Sequence, residues 1–426
     1  MARLKVLISG RGIAGNALAF WLSKLGHDIT VIERFSGLRA SGLQIDLRGH
    51  GIEVLKRMGL EEAFRSKAAQ EEGIQIVGKS GRRWAYFPAN KSGDGLQSFT
   101  SEYEIMRGDL VSMLYDATKS RAKYIFGDSI ESFEQTDNSV DVRFTNGTTD
   151  RFDLLVGADG QGSRTRRTML GSNSEDGFHP LVGLYVGYFT MPLPIKEGEK
   201  YIASAYTATR RRAIMTRRHS PHAIQVYLTC RTDPERIETA LRGDIKDVKK
   251  VFTEIFEDAG WKAEEVLKAL PHADDFYCER MGIVKLDSWS HGRVALLGDA
   301  AYCPSANTGM GTTCSVVGAY VLAGEIGRYC GRFDSGSRDG PDDTKDNLGN
   351  ALKAYEQKFR PFMDQVQKGV MGDTWDLMPS TTFTIAIMNS VLAIASLLRL
   401  NVIGEWILHE DVKGWDLPEY EELLRK

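Results

Sequence analysis

The chain has 426 residues, which is long enough for a large core and more than one domain. Its composition is typical of a globular protein, and a net charge of −3 gives no reason to expect a nucleic-acid partner. The five cysteines include no Cys-x-x-Cys pair, which predicts reduced thiols in a cytoplasmic protein and no metal site. The first predicted strand begins within a few residues of the start, so we expect no signal peptide.

The start of the chain predicts a dinucleotide site. An apolar strand, Lys5–Ser9, is followed by Gly10, Gly12 and Gly15, a helix pattern, and a second apolar strand that ends at Glu33. The three glycines permit a tight turn, a close approach of backbone N–H groups to a pyrophosphate, and close packing of the helix on the strand. The helix N-terminus attracts the phosphates, and Glu33 can accept hydrogen bonds from a ribose diol. This acid favours FAD or NAD over NADP.

Alternating strand and helix patterns continue to about residue 156. Helices are predicted at 51–59 and 110–119, and strands at 43–47, 74–77, 83–87, 140–144 and 151–156. Arg107 lies just before the second of these helices. The last of the strands leads into Asp159-Gly160 and a helix start, where Ser163 is the predicted N-cap.

The middle of the chain changes to consecutive antiparallel strands. These are predicted at 182–191, 201–206, 212–216 and 223–229, with a helix at 245–259. Period-two alternation separates Gln225 and Tyr227 from the apolar residues of the same strand. We expect Gln225 and Tyr227 to line a substrate pocket, with Tyr188 and Arg212 from neighbouring strands. The alternative is that Gln225 and Tyr227 face solvent, because a one-residue register shift exchanges the two faces.

A third strand–turn–helix motif follows at 292–311. A buried strand ends at Asp299, and a glycine-bearing loop then leads into a helix at 316–326. Asp299 can accept a ribityl hydroxyl, and the backbone at Gly309 and Gly311 can approach a flat ring. The polar segment 334–346 predicts a surface loop. The apolar segment 383–400 is interrupted by polar residues and too short for a membrane span, so we expect a buried or interface helix.

Together these patterns predict an α/β fold with an α+β portion. A Rossmann-like dinucleotide-binding domain with a parallel sheet is expected from residues 1–180 and 282–330. An antiparallel-sheet substrate domain is expected at 181–281, followed by a loop and C-terminal helices at 331–426.

The three glycine motifs, in this order, resemble those of the group A FAD-dependent aromatic hydroxylases, the family of para-hydroxybenzoate hydroxylase. The resemblance covers about residues 4–330, and the branch of tetracycline-inactivating monooxygenases is nearest. It implies that FAD is bound by the following residues: Gly10, Gly12, Ile13, Ala14, Gly15, Glu33, Arg34, Arg107, Asp159, Asp299, Gly309, Met310, Gly311 and Thr312.

The resemblance also implies a reaction. NADPH or NADH reduces FAD, O₂ adds at flavin C4a, and the distal hydroperoxide oxygen passes to an electron-rich carbon. Because the flavin carries the chemistry, no catalytic side chain is assigned. We expect a monomer or homodimer that acts on a small molecule and O₂, without a nucleic-acid or membrane partner.

Three departures from the family bear on the substrate. Tyr302 stands where the family usually has His, and a single proline, followed by Ser305 and Ala306, stands where a proline pair is common. Gln225 replaces a substrate-binding His of the tetracycline-acting enzymes. We therefore expect a polycyclic phenol, polyketide or alkaloid of secondary metabolism, in a pocket to which Ala306 contributes. Hydroxylation, epoxidation and Baeyer–Villiger oxidation all stay open.

Two alternatives share this fold. A flavin-dependent halogenase would carry Trp-x-Trp-x-Ile-Pro, and the nearest segment here is Trp84-Ala-Tyr-Phe-Pro88. A GDI-like binding protein would keep the fold without flavin. The intact glycine turn, Glu33, Arg107 and Asp299 argue against that second alternative.

Overall fold

The computed structural model describes residues 3–37, 42–89, 102–171, 174–331, 343–371, 378–399 and 412–425. Its strands are β1 (Lys5–Ser9), β2 (Asp28–Glu33), β3 (Gln44–Asp46), β4 (Gly73–Val77), β5 (Arg83–Pro88), β6 (Glu104–Met106), β7 (Lys123–Phe126), β8 (Ile130–Gln135), β9 (Val140–Phe144), β10 (Thr149–Phe152), β11 (Leu154–Gly157), β12 (Phe178–Pro192), β13 (Ile202–Ala208), β14 (Arg212–Arg218), β15 (Ala223–Arg231), β16 (Tyr277–Val284), β17 (Ser290–His291) and β18 (Val294–Leu296). Its α-helices are α1 (Ile13–Lys24), α2 (His50–Arg57), α3 (Glu61–Ser66), α4 (Arg107–Asp116), α5 (Arg164–Leu170), α6 (Pro234–Leu241), α7 (Ile245–Phe256), α8 (Ala263–Ala269), α9 (Asp299–Tyr302), α10 (Gly311–Cys330), α11 (Asp343–Val366), α12 (Thr382–Leu397) and α13 (Glu421–Leu424).

A six-stranded sheet with the order β17-β18-β11-β1-β2-β7 confirms the predicted parallel sheet. β1 pairs in parallel with β2 and β11, and β11 pairs in parallel with β18. The carboxyl ends of parallel strands meet at one edge of a sheet, where α/β proteins bind ligands. Gly10, Glu33, Asp159 and Asp299 follow or end four of these strands, so the fold gathers them at that edge.

One predicted strand, at 151–156, divides into two. β10 pairs antiparallel with β9 in a small three-stranded sheet, whereas β11 joins the parallel sheet. The break falls at Asp153, whose carboxylate accepts a hydrogen bond from the backbone N–H of Lys5 at 2.7 Å. Its own N–H donates to the Lys5 carbonyl at 2.8 Å. Asp153 therefore directs the chain from one sheet into the other.

Helix α1 lies between the parallel sheet and α10. Every residue from Ile13 to Leu22 is buried, which explains why the helix is apolar on all sides. Helix α10 is also buried over most of its length, and α11 packs on its outer side. The two helices that follow the first and third glycine motifs therefore pack against each other.

The second sheet has seven strands in the order β16-β12-β15-β14-β13-β4-β5. Strands β12 to β15 belong to antiparallel pairs, as the sequence predicts, and β16, which the sequence analysis did not identify, pairs antiparallel with β12. Helices α6, α7 and α8 cover one face. Val226 and Leu228 point into that covered core with Phe252. Strands β4 and β5 extend the other edge, so the predicted boundaries at 181 and 281 leave two strands of this sheet outside the middle region.

The apolar segment at 383–400 forms α12. Of the two expected arrangements the buried helix is wrong, whereas the interface helix stays a prediction. Phe383 is 73% exposed and Leu397 is 82% exposed. The helix contacts β5 on one side, where Ser396 Oγ donates to the Tyr86 carbonyl at 2.7 Å, and its remaining apolar surface has no cover in the described chain. No helix among the described residues is both long and apolar enough to cross a bilayer. Residue 400 and positions 334–342 of the predicted loop lie outside the described residues, and 343–346 begin α11.

Candidate cofactor and substrate site

The glycine turn after β1 has the geometry of a phosphate site. Gly10 has a φ of +106°, and a Cβ there would lie 2.5 Å from the Ala158 carbonyl oxygen. A Cβ at Gly15 would lie 2.0 Å from the Gly10 carbonyl oxygen. At Gly12 a Cβ would meet no atom of the described chain within 4 Å. Helix α1 starts there without a side-chain cap or an acidic residue in its first turn, so its N–H groups face open space.

Glu33 is held beside this turn by backbone groups. Its two carboxylate oxygens accept hydrogen bonds from the N–H groups of Arg11 and Phe35, each at 3.1 Å. A carboxylate has about four lone-pair sites, so Glu33 keeps capacity for a ribose hydroxyl. Arg34 is exposed, and its guanidinium lies 4.7 Å from the centre of the Phe35 ring.

Asp159 caps helix α5. Its carboxylate accepts hydrogen bonds from the Ser163 hydroxyl and from the backbone N–H groups of Arg164 and Thr165, at 2.9 and 3.1 Å. Ser163 is the N-cap, as predicted, and accepts from the Arg166 N–H at 2.9 Å. The carboxylate therefore has a structural use at this helix, and its role in cofactor binding stays a prediction.

Asp299 lies where the first turns of α1 and α10 meet. A Cβ at Gly298, the preceding residue, would lie 2.8 Å from Ala14 Cβ and 3.3 Å from Ser315 Oγ. Burial raises the pKa of Asp299, and the positive charge of Arg107 opposes that increase. The structure thus brings together Arg107 and Asp299, two residues that sequence reasoning placed at the cofactor from separate motifs.

The loop before α10 provides a second helix N-terminus. Met310 is the N-cap of α10, and its side chain accepts no hydrogen bond from the first turn. A Cβ at Gly311 would meet no described atom within 4 Å. Gly309 ends the preceding turn with a φ of +65°. Ser305 has a φ of +71°, unusual for a residue with a side chain, and its buried Oγ has no hydrogen-bond partner among the described residues.

These features fit FAD. Two uncapped helix N-termini with open space beside them suit a pyrophosphate and a flat ring, and carboxylates at Glu33 and Asp299 suit hydroxyl groups. Thr312 lies in the first turn of α10, next to this space.

Gln225 and Tyr227 lie on the face of the second sheet opposite the helices. Their side chains are 1% and 8% exposed, so the alternative in which they face solvent is wrong. Gln225 Oε1 accepts from the backbone N–H of Gln44 at 3.0 Å, and its Nε2 donates to the Gly42 carbonyl at 2.6 Å. Tyr227 donates its hydroxyl to Gln225 Oε1 at 3.1 Å. The Gln225 amide therefore ties the second sheet to the chain at 42–44.

Tyr188 completes an aromatic surface on this face. It pairs with Tyr227 across β12 and β15, and the two ring centres lie 5.3 Å apart at an interplanar angle of 84°. Leu43, Met215 and Met281 pack in the same apolar cluster. Tyr188, Gln225 and Tyr227 are thus grouped as predicted, and contact with substrate stays a prediction for each.

Arg212 is a wrong prediction. It pairs with Cys230 across β14 and β15, and this register turns both side chains towards the helices. Its Nη1 donates to the Ile255 carbonyl and to Asp258, each at 2.5 Å. Arg212 therefore lies behind the sheet and lines no pocket with Tyr227. Ala306 is exposed in a 3₁₀ turn of the loop before α10.

Arg217 is a residue of this face that the sequence analysis missed. It pairs in register with Gln225, and its Nη2 lies 2.7 Å from Glu71 Oε1 and 2.8 Å from Glu104 Oε2. Both carboxylate side chains are 2% exposed. No local spacing reveals this group, because the three residues come from three different strand regions.

Glu279 was also missed. It lies on β16, on the same face of the second sheet as Tyr188. Burial, together with the nearby charge of Asp299, raises its pKa to about 7. Alternation along 277–281 places Glu279 with Tyr277 and Met281, and that signal could have identified it.

Tyr302 shows why one departure from the family is tolerated. It is 1% exposed, and its hydroxyl accepts a hydrogen bond from the Tyr355 hydroxyl at 3.0 Å. A Cβ at Gly318 would lie 2.0 Å from the Tyr302 hydroxyl oxygen, so the small residue makes room for the ring. Tyr302 is part of the core under α10.

Comparisons with known proteins identify the family of the chain. Residues 3–330 match the model of the FAD binding domain family. The FAD-dependent monooxygenase asL4 of Sarocladium schorii is 53% identical over 430 residues, covering 100% of each chain, and the flavin-dependent monooxygenase eupH of Phoma sp. is 40% identical over 93% of each. The crystal structure of the tetracycline destructase Tet(51) superposes with a TM-score of 0.75 and 27% identity, covering 98% of this chain and 99% of that one. The chain therefore belongs to the FAD binding domain family and is an FAD-dependent monooxygenase of the group A flavoprotein type.

Proposed function

We propose that this monooxygenase takes electrons from NADPH or NADH and inserts one oxygen atom of O₂ into a polycyclic phenol or a related electron-rich secondary metabolite. The observation that carries the proposal is the aromatic and apolar face formed by Tyr188, Tyr227, Met215 and Met281. This face belongs to the sheet that also carries Glu279. The charges of Arg107 and Asp299, two residues assigned to the cofactor, act on the Glu279 carboxyl group. A substrate on this face would lie between the second sheet and the cofactor-binding edge.

The charges on this face favour a large neutral substrate over a small benzoate. A benzoate needs a cation to bind its carboxylate, and Arg217, which lies on this face, is already paired with Glu71 and Glu104. The positive charge of Arg107 is likewise offset by the carboxyl groups of Asp299 and Glu279. Aromatic rings and methionine side chains instead offer apolar area to a fused ring system.

In this proposal the residues of the chain bind and orient FAD and the substrate, and they exclude water from the site. The turn at Gly10–Gly15 and the start of α10 would hold FAD, with Glu33 at the ribose and Asp299 and Arg107 nearer the ring system. Bound FAD supplies the redox chemistry and the activated oxygen. The Gln225 amide fixes the chain at 42–44 against this face of the second sheet, the cleft face, where the substrate would bind.

The test measures NADPH and NADH oxidation by the purified FAD-loaded enzyme against a panel of polycyclic phenols. Tyr227→Phe and Gln225→Ala should change the substrate-stimulated rate and leave the FAD content at its normal value. Tyr206→Phe is the matched control, because Tyr206 lies on the same sheet but donates its hydroxyl to the Ala259 carbonyl on the helix side. If both cleft variants match the wild type across the panel, the substrate binds elsewhere.

A further inference from the structure

Glu279 occupies the cleft-facing side of β16. In the antiparallel pairing of β12 and β16, Tyr188 lies opposite Tyr277 and Val186 lies opposite Glu279. Tyr188 and Val186 belong to the apolar cluster of the cleft face, and so does Met281, two residues beyond Glu279. Period-two alternation therefore places the Glu279 carboxylate among these side chains.

The neighbouring residue of the same strand faces the other way. Arg280 forms an ion pair with Glu238 of α6, at 3.1 Å, on the helix-covered side of the sheet. Glu279 is therefore the carboxylate that β16 presents to the cleft, whereas the charge of Arg280 stabilises the packing of α6 on the sheet.

Glu279 also differs from the other carboxylates of this face. Glu71 and Glu104 share an ion pair with Arg217. Within the described chain Glu279 has no salt-bridge partner, and the aromatic residues that share its face of the sheet, Tyr188 and Tyr277, are neutral. Its ability to accept a proton is therefore not taken up by a structural ion pair.

The charges acting on Glu279 come from the cofactor-binding edge and from its own sheet. Arg107 of α4 attracts its negative charge, and Asp299 of α9 repels it. The remaining titratable neighbours are Cys303 after α9, Tyr188 of β12, and Tyr277 and Cys278 of its own strand. The carboxylate thus lies between the substrate face and the residues assigned to the flavin.

We propose that Glu279 is a catalytic base that accepts the proton of a phenolic or enolic hydroxyl of the substrate. This role deepens the proposed function and rests on it. The substrate O–H bond breaks and a carboxyl O–H bond forms, while the electron pair stays on the substrate oxygen. Conjugation then raises the electron density at the ring carbon that receives the oxygen atom. The proton returns to the oxygenated product or passes to water past Tyr277, which is 53% exposed.

The acid–base properties of the site support this role. A general base works best when its pKa is near the working pH. Burial and Asp299 raise the pKa of Glu279 to about 7, so a large share of the carboxyl is ionised at neutral pH. The positive charge of Arg107 acts on Glu279 and would also favour the negative charge of a substrate oxygen beside it.

The experiment compares the FAD-loaded wild type with Glu279→Gln and Glu279→Asp, using alizarin as a polycyclic phenol and its O-methyl ethers as analogues without a phenolic proton. All three proteins should bind alizarin, and Glu279→Asp should recover part of the rate that Glu279→Gln loses. Glu238→Gln is the matched control, since it removes a partly buried glutamate on the other face, and it should behave as the wild type.

The same variants are then assayed for phenol-stimulated NADPH oxidation as a function of pH. Glu279→Gln should lower kcat by about 100-fold or more with little change in KM. It should also remove the decrease in kcat that we expect for the wild type as the pH falls below about 7. An unchanged kcat or an unchanged pH dependence in Glu279→Gln would overturn the role of Glu279. If O-methyl ethers are oxidised at the same rate as the phenols, Glu279 does not act as a base, but the monooxygenase proposal stands. If no polycyclic phenol binds or stimulates the wild type, the proposed substrate class and this role both fall.

Discussion

Replacing Gly12 by valine separates cofactor binding from folding better than any other single change in the glycine turn. A Cβ at Gly12 would touch no described atom within 4 Å, and the residue has φ −72° and ψ −168°, which valine adopts without strain. The branched side chain would then fill the space in front of the α1 N-terminus. The folded chain should tolerate Gly12→Val, whereas a pyrophosphate should not.

The expected effect of Gly12→Val on stability differs between the protein without FAD and the protein with FAD. Without FAD, the free energy of unfolding should change by no more than about 1 kcal/mol, the size of a helix N-cap or glycine substitution effect. With FAD at one hundred times its wild-type Kd, the wild type gains about 2.7 kcal/mol from binding. We expect Gly12→Val to lose nearly all of this gain, which corresponds to a Kd raised by about 100-fold.

The assay measures unfolding with and without FAD, together with the flavin-to-protein ratio after purification. Gly15→Ala is a contrasting variant, because its Cβ would lie 2.0 Å from the Gly10 carbonyl oxygen and should destabilise the chain even without FAD. Gly349→Ala, in α11 and free of contacts at its Cβ, should leave FAD binding unchanged. Normal flavin content in Gly12→Val would refute the placement of the pyrophosphate.

Three further predictions concern charge. Asp299→Ala should weaken FAD binding by about 10- to 100-fold, the loss of a charge-assisted hydrogen bond of about 1.5–3 kcal/mol, and an unchanged Kd in a fluorescence titration would place this carboxylate away from the cofactor. Arg217→Met should lower the free energy of unfolding by about 3–5 kcal/mol because it leaves Glu71 and Glu104 buried without a cation, and an unshifted urea midpoint would show that these carboxyl groups do not depend on the charge of Arg217. Burial lowers the pKa of His27 to about 4, below the value of 6.5 for an exposed imidazole, so the unfolded chain binds the extra proton between these values. Stability should therefore fall as the pH drops from about 6.5 to about 4, by at most about 3 kcal/mol, and His27→Gln should flatten this dependence in urea titrations at several pH values.

Local sequence patterns were sufficient to predict elements whose residues are close together in the chain. The strands at Lys5–Ser9 and Asp28–Glu33 agree with their predicted bounds, because an apolar run, a glycine turn and a terminal acid occur within one short segment. Alternation in β15 also identified which side chains lie opposite the helix core, since Ile224, Val226 and Leu228 form an unbroken apolar set.

Pairing between strands could not be predicted in the same way. Strand β14 carries an apolar residue on each face, Ile214 and Met215, so its alternation does not reveal that Arg212 lies behind the sheet and Arg217 in front. Glu279 and Arg107 are far apart in the chain, and their proximity depends on how the second sheet meets the cofactor-binding edge. The apolar composition of α12 predicted burial, but burial also requires a second surface, which composition does not encode.

The most direct test of the central claim is the fate of molecular oxygen. The FAD-loaded enzyme is supplied with NADPH, ¹⁸O₂ and the phenol that best stimulates NADPH oxidation, and the product is analysed by mass spectrometry. The account predicts a product that carries one ¹⁸O atom, formed by the wild type and not by Gly12→Val. Recovery of all the label as hydrogen peroxide or water, with every phenol of the panel unchanged, would contradict it.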